Sequence, residues 1–95
     1  MKVIFSSLAA GDLRAIAAGI SRDRPVAALK VVRGLRIACA ALAIRPHAYP
    51  FAKDRQAEGV RRAPFSRYLI FYRADAEQVS IVRILDGARD IPSLP

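Results

Sequence analysis

Arginine is the residue through which this chain could do chemistry. Sixteen Lys and Arg face eight Asp and Glu across 95 residues, a formal charge of +8, and all the cations but Lys2, Lys30 and Lys53 are arginine. A guanidinium is a planar fork of donors that matches phosphate and carboxylate equally well. The balance therefore implies nucleic acid or an acidic protein segment as partner, although a GC-rich coding sequence accounts for the same preference of Arg over Lys. Arg61, Arg62, Arg67, Arg73, Arg83 and Arg89 all lie in the C-terminal half. Such groups can stabilise the charge of a phosphodiester during cleavage if a Tyr or Lys moves the protons; the plainer reading is a solvated basic face. Strand alternation places Val60 with Arg62 on one face and Arg61 with Ala63 on the other, so the two arginines cannot serve one site from one face.

The other chemistries are thinly supplied. His47 and Cys39 are the sole residues of their types, and neither has a ligand cluster around it, so no metal site is expected. His47 reads as a loop residue between prolines. Cys39 falls on a helical apolar seam, which argues against a Cys–His nucleophile pair. "LDGARD" holds one glycine and is no phosphate loop. Asp86 and Asp90 flank Gly87 in a turn, where Asp commonly accepts from local backbone N–H groups. Gly87 is expected to take a positive φ that ends the strand sharply, with Arg83 and Arg89 projecting from the sheet end and Asp86 and Asp90 pairing with them. No cofactor and no catalytic set follow from these residues.

The elements that position them are legible from pattern. "KVIF" reads as a first strand. Ser6 or Ser7 can cap a helix over 8–21, whose Leu13, Ile16 and Ile20 form one stripe, with Asp12 in an early turn favourable to the helix dipole. Gly11 and Gly19 weaken that helix. Pro25 opens a second helix to about residue 43, with Ala28, Val32, Leu35, Cys39 and Leu42 as its seam and Lys30, Arg33 and Arg36 largely off it; Pro46 ends it. Residues 45–59 connect, with room for a short strand. "VRRA", "RYLIFYR" and "VSIVRIL" follow as strands, the middle one central, with "ADAEQ" as a hairpin turn. The order is β-α-α-β-β-β: an α+β domain spanning 1–95, with an antiparallel helix hairpin on one face of a small, mostly antiparallel sheet.

A single cysteine excludes an intramolecular disulfide, no apolar run approaches bilayer length, and "MKVIFSS" is too short for a secretory signal. A cytoplasmic protein with no membrane contact is expected.

"GVRRAPFSRYLIFYR" followed by "VSIVRILDGARDI" resembles the ParE branch of the ParE/RelE toxin superfamily. Asp12-Leu13 with Ile16, then "RPVAA" and "LAIRP", extend the resemblance over nearly the whole chain. It implies a toxin of a bacterial type II toxin–antitoxin pair that inhibits DNA gyrase by binding. The implied partner is an antitoxin with a DNA-binding dimer domain and an acidic, amphipathic C-terminal arm. Toxin and antitoxin would form a hetero-oligomer that touches nucleic acid only through the antitoxin. On this reading Arg61, Arg62, Arg73, Arg83 and Arg89 are the candidate contacts for target or antitoxin, and Asp86, Gly87 and Asp90 shape the turn.

Two departures bear on the alternatives. Members of the ParE branch commonly have His where this chain has Asp86, which favours an inactive homologue retained to bind antitoxin. The RelE branch carries lysines in the strand matching "GVRRA" and a tyrosine in the tail; here the strand has arginines and the tail is "IPSLP". A ribosome-dependent mRNA endonuclease would have to use Arg61 or Arg62 with Arg89 at the phosphate.

Overall fold

Each element begins where local chemistry dictates. β1 (Lys2–Phe5) is β-branched and aromatic. Ser6 then caps α1 (Ser7–Ser21), its side chain accepting from the Ala9 N–H at 3.0 Å. α2 (Pro25–Ala41) has no side-chain cap; Pro25, at the helix start, needs no N–H there and brings its own helical φ. β2 (Arg61–Phe65), β3 (Tyr68–Ala74) and β4 (Gln78–Asp86) complete the expected order. The structure, a computed structural model, describes residues 1–88; Arg89 and Asp90, and the pairings expected of them, lie outside the described residues.

The sheet order is β1-β4-β3-β2. β4 runs parallel to β1 and antiparallel to β3, and β3 antiparallel to β2, so β3 and β4 are central. Ser66 takes a positive φ in the two-residue β2–β3 turn, as the first central position of a type II′ hairpin requires. In the β3–β4 turn the Asp75 carboxylate accepts from the N–H groups of Glu77 (2.8 Å) and Gln78 (2.9 Å).

The hairpin covers one sheet face. Ala9, Leu13, Leu35, Cys39 and Leu42 pack with Ala63, Tyr68, Ile70, Tyr72, Val79, Ile81 and Ile84. Ile16, Ile20 and Val32, expected in this seam, are half-buried. Gly34 lets α2 approach β2 closely: a Cβ there would stand 2.6 Å from Phe65 Cζ. A second cluster of Ala52, Val60, Phe71 and Val82, flanked by Leu69 and Leu85, is supplied in part by the 51–60 connection. The short strand anticipated in that connection is a single bridge, Phe51 to Arg61.

β4 carries a bulge that reconciles these two clusters. Phe71 pairs with Arg83 but Tyr72 pairs with Ile81, leaving Val82 as the extra residue. Val82 joins the second cluster while Ile81 and Ile84 both join the first. The outer edge of β2 is blunted. Arg62 N–H bonds Pro50 O at 3.0 Å, and Pro64, two residues on and facing the same way, has no N–H to offer.

Candidate functional site

Among the described residues, the structure does not gather the sequence-marked arginines into one cluster, and it ties several of them down. Arg83 is the clearest case. Its Nε and Nη2 donate to the two oxygens of Asp12 at 2.8 and 2.9 Å, and the same carboxylate accepts from Ile84 N–H at 2.9 Å. The side chains are only 19% and 14% exposed, so this is a forked, largely desolvated ion pair. Its hydrogen bond to Asp12 holds the guanidinium more firmly protonated than usual, against the opposing effect of burial. The physical reason lies at the sheet edge. β1 pairs only as far as Phe5 with Ile81; beyond that, the Ser6 cap and the Asp12 side chain of α1 satisfy β4 instead. Ser6 N–H bonds Ile81 O, Ser6 Oγ bonds Val82 O, and Asp12 takes Ile84 N–H. Arg83 therefore clamps α1 to β4 rather than projecting from the sheet end, and its acidic partner is Asp12, not Asp86. Asp12 lies in the second turn of α1 and serves β4 instead of the helix N-terminus.

Asp86 holds the turn by a different pairing. Its Oδ2 lies 2.7 Å from Arg67 Nη2, and its Oδ1 accepts from Ala88 N–H at 2.9 Å. Gly87 does not take a positive φ; the described glycine that does is Gly59. Glycine at 87 suits a close approach: its N–H bonds Arg67 O at 2.7 Å, and a Cβ would stand a tight 3.0 Å from that oxygen.

Arg61 is equally committed. Its Nη1 donates to Tyr49 O at 2.7 Å and reaches His47 O at 3.5 Å, while the guanidinium stacks 4.1 Å from the centroid of Phe51. It pins the 47–51 connection together with Tyr72, whose hydroxyl donates to Pro46 O at 2.8 Å and is pushed up in pKa by burial. Arg73 donates to Glu58 O at 3.0 Å but stays exposed. Arg62 is exposed and, among the described residues, its side chain makes no ion pair or hydrogen bond. Cys39 is fully buried and its thiol is pushed up to about 12 by burial, with Arg36 pulling the other way. No group of three or more metal-ligating side chains occurs among the described residues, and no helix there is long and apolar enough to cross a membrane.

More of the positive charge outside ion pairs lies on the hairpin than on the strands. The described ion pairs use Arg55, Arg67 and Arg83. On and beside the hairpin, Arg14, Arg22, Arg24, Lys30, Arg33, Arg36 and Arg45 are all exposed and take no part in those pairs. The outer side of α2 is also apolar: Val26, Leu29 and Ile37 are 67%, 65% and 64% exposed, and Ile44, just past the helix, is 80% exposed. Sequence reasoning follows the buried seam and passes over this second stripe, although its spacing at 26, 29 and 37 is a signal that could have found it.

The same architecture occurs among known proteins. The family model "ParE toxin of type II toxin-antitoxin system, parDE" matches residues 3–91. The chain belongs to the ParE toxin family. Among solved structures, the chromosomal ParDE toxin–antitoxin system of P. aeruginosa contains a chain that superposes with a TM-score of 0.76 at 22% identity, covering 90% of this chain and 95% of that one. The toxin–antitoxin complex RelBE2 of Mycobacterium tuberculosis gives 0.61 at 24% identity, covering 93% and 92%. At those identities the likeness is one of fold: this ParE-family chain shares its overall architecture with a chain of each structure. No curated protein matches the chain.

Proposed function

We propose that this ParE-family toxin acts in the cytoplasm by binding DNA gyrase and is neutralised by a cognate antitoxin with an acidic, amphipathic arm. The observation that carries the choice of binding over RNA cleavage is the commitment of the arginines. Cleavage would need cations converging on one phosphate. Arg61 is stacked on Phe51 and bonded to the 47–49 backbone, Arg83 is forked onto Asp12, and Arg62 alone of the neighbouring pair is outward and uncommitted among the described residues. Among the described residues, Arg62 and Arg73 are the sequence-marked cations left for a target or antitoxin, with Arg89 outside those residues; Arg61 and Arg83 act by holding the surface in shape.

The test is induced expression without antitoxin, together with purified protein in two assays. Gyrase supercoiling should fall with added toxin while mRNA on translating ribosomes stays intact. Specific cuts at the ribosomal A site would instead make the protein an endonuclease. Loss of neither function, with antitoxin still bound, would make it an inactive homologue, the outcome that Asp86 in place of the family's usual His would then explain.

A further inference from the structure

The two edges of the sheet are finished differently. At β2 the edge is blunted by the Pro50 carbonyl and by Pro64. β1 forms the other edge. Ser6 N–H bonds Ile81 O, so by strand alternation the N–H and C=O of Val3 and Phe5 face away from β4. No further strand among the described residues meets them. An apolar hollow also flanks β1 on each face of the sheet. Val3 and Phe5 pack against the core beneath the hairpin, so Ile4 lies on the opposite face. There Ile4 and Leu8, 39% and 47% exposed, line a hollow of about 400 Å³ with Ser7, Val82 and Arg73. On the hairpin side, Phe5, Leu13, Arg14, Val32 and Arg36 line one of about 250 Å³, with the Arg36 guanidinium 5.9 Å from the Phe5 ring centroid.

This arrangement fits an extended polypeptide. A strand laid along β1 would bond Val3 and Phe5, and its successive side chains would point to opposite faces and so reach the two hollows in turn. Nucleic acid has no amide backbone with which to continue a sheet. Charge then sets the character of the segment. Neither hollow is lined by a carboxylate, whereas Arg73 lines one and Arg14 and Arg36 the other. None of these arginines takes part in a described ion pair. Of the Arg73 guanidinium, only Nε is committed among the described residues, to Glu58 O. A second copy of this chain, paired edge to edge, would set like charges against like. A segment with apolar side chains on both faces and Asp or Glu beside them meets the hollows and their arginines together. We infer that the β1 edge, Val3 to Phe5 with Leu8 and Arg73 beside it, is where this toxin holds its target, by adding an extended, acidic and apolar segment of gyrase to its sheet. This rests on the gyrase reading above, in which Arg73 is one of the cations left for a contact, and adds where the target sits and in what form.

Val3→Pro removes an outward N–H while sparing the ladder to β4. Leu8→Glu and Arg73→Glu put negative charge at the hollow beside Ile4, and Lys53→Glu makes the same change of charge as Arg73→Glu outside both hollows. Each of the first three should raise the toxin concentration that half-inhibits gyrase supercoiling by about tenfold or more, and Lys53→Glu should stay within about twofold of the parent. Circular dichroism and melting that match the parent show the fold to be intact. Leu8→Glu adds an acid to the first turn of α1, which favours the helix, so it decides the matter where Val3→Pro does not fold. Labelling gives a second readout. Cys39 is fully buried with its thiol pushed up to about 12, silent to a maleimide at neutral pH, so Leu8→Cys reports on the edge alone. Gyrase should slow its labelling by about tenfold or more. Folded variants that inhibit like the parent, or a Leu8→Cys thiol that stays open on inhibited gyrase, overturn this inference and leave the gyrase reading standing. A parent that does not inhibit gyrase overturns both. Protection by the full-length antitoxin but not by gyrase assigns the edge to the antitoxin, and protection that grows with toxin concentration alone assigns it to self-association; either overturns the inference.

Discussion

At the scale of single residues, the most consequential contact is one that no local pattern announces. Asp12 and Arg83 are separated by 71 positions. Asp12→Ala would leave a largely desolvated guanidinium without its counter-ion and the Ile84 N–H without its acceptor. A fully buried pair broken in this way costs about 3–5 kcal/mol; partial exposure reduces this to roughly 2–3 kcal/mol, readable as a fall in urea midpoint at unchanged slope. Arg62→Ala, exposed and unpaired among the described residues, should stay within about 0.5 kcal/mol of the parent. Asp75 gives a pH-dependent counterpart. Two backbone N–H bonds, first to Glu77 and then to Gln78, lower its folded-state pKa. Its stabilising contribution is therefore fully present above the unfolded value of about 3.9 and is lost as pH falls through the lower folded value. Asp75→Ala should be less stable than the parent at neutral pH and converge on it in acid; a gap that widens on acidification would show the carboxylate to be unfavourable as an ion.

At the scale of elements, the hairpin and the glycines separate packing from propensity. Leu35 is fully buried where α2 meets the sheet, so Leu35→Ala should cost ~2–5 kcal/mol. Gly19 lies within α1, and a Cβ added there would meet nothing within 4 Å, so Gly19→Ala should raise stability by about 0.5–1 kcal/mol. Gly34→Ala, facing Phe65 at 2.6 Å, should lose that gain unless Phe65 is also made smaller; thermal melts of the three variants check all of it. What was legible in the sequence was whatever is encoded locally. β1 at Lys2–Phe5, the Ser6 cap, Pro25 at the start of α2, and the paired strands after residue 60 all announce themselves by neighbours a few positions away. What was not legible depends on distant partners. The Val82 bulge exists because both clusters must be filled from β4. Arg61 looks like a free strand cation until Phe51 and the Tyr49 carbonyl arrive from the preceding connection. The outer stripe of α2 was written in the sequence, but a helix with apolar residues on two sides shows only one seam to a reading that seeks one core.

At the scale of the whole molecule, the formal charge of +8 acts through the cations that remain unneutralised. The described ion pairs draw on Arg55, Arg67 and Arg83, whereas the exposed cations of the hairpin are left outside them. The net field should therefore be concentrated on the helical side and not, as the sequence count suggested, on the strands. Such a field speeds encounter with an acidic arm, and it acts over distances that salt screens, with a Debye length of about 8 Å at physiological ionic strength. Once the arm is seated, exposed ion pairs hold it by only about 0–1 kcal/mol each, and apolar anchors supply the rest. Raising salt from low to physiological levels and beyond should thus slow association with the antitoxin markedly while changing dissociation little. Stopped-flow mixing resolves the first rate and competition the second. Charge reversal on the hairpin, Lys30→Glu with Arg33→Glu, should flatten the salt dependence of association more than Arg62→Glu with Arg73→Glu on the strands. The opposite ranking would return the steering field to the sheet.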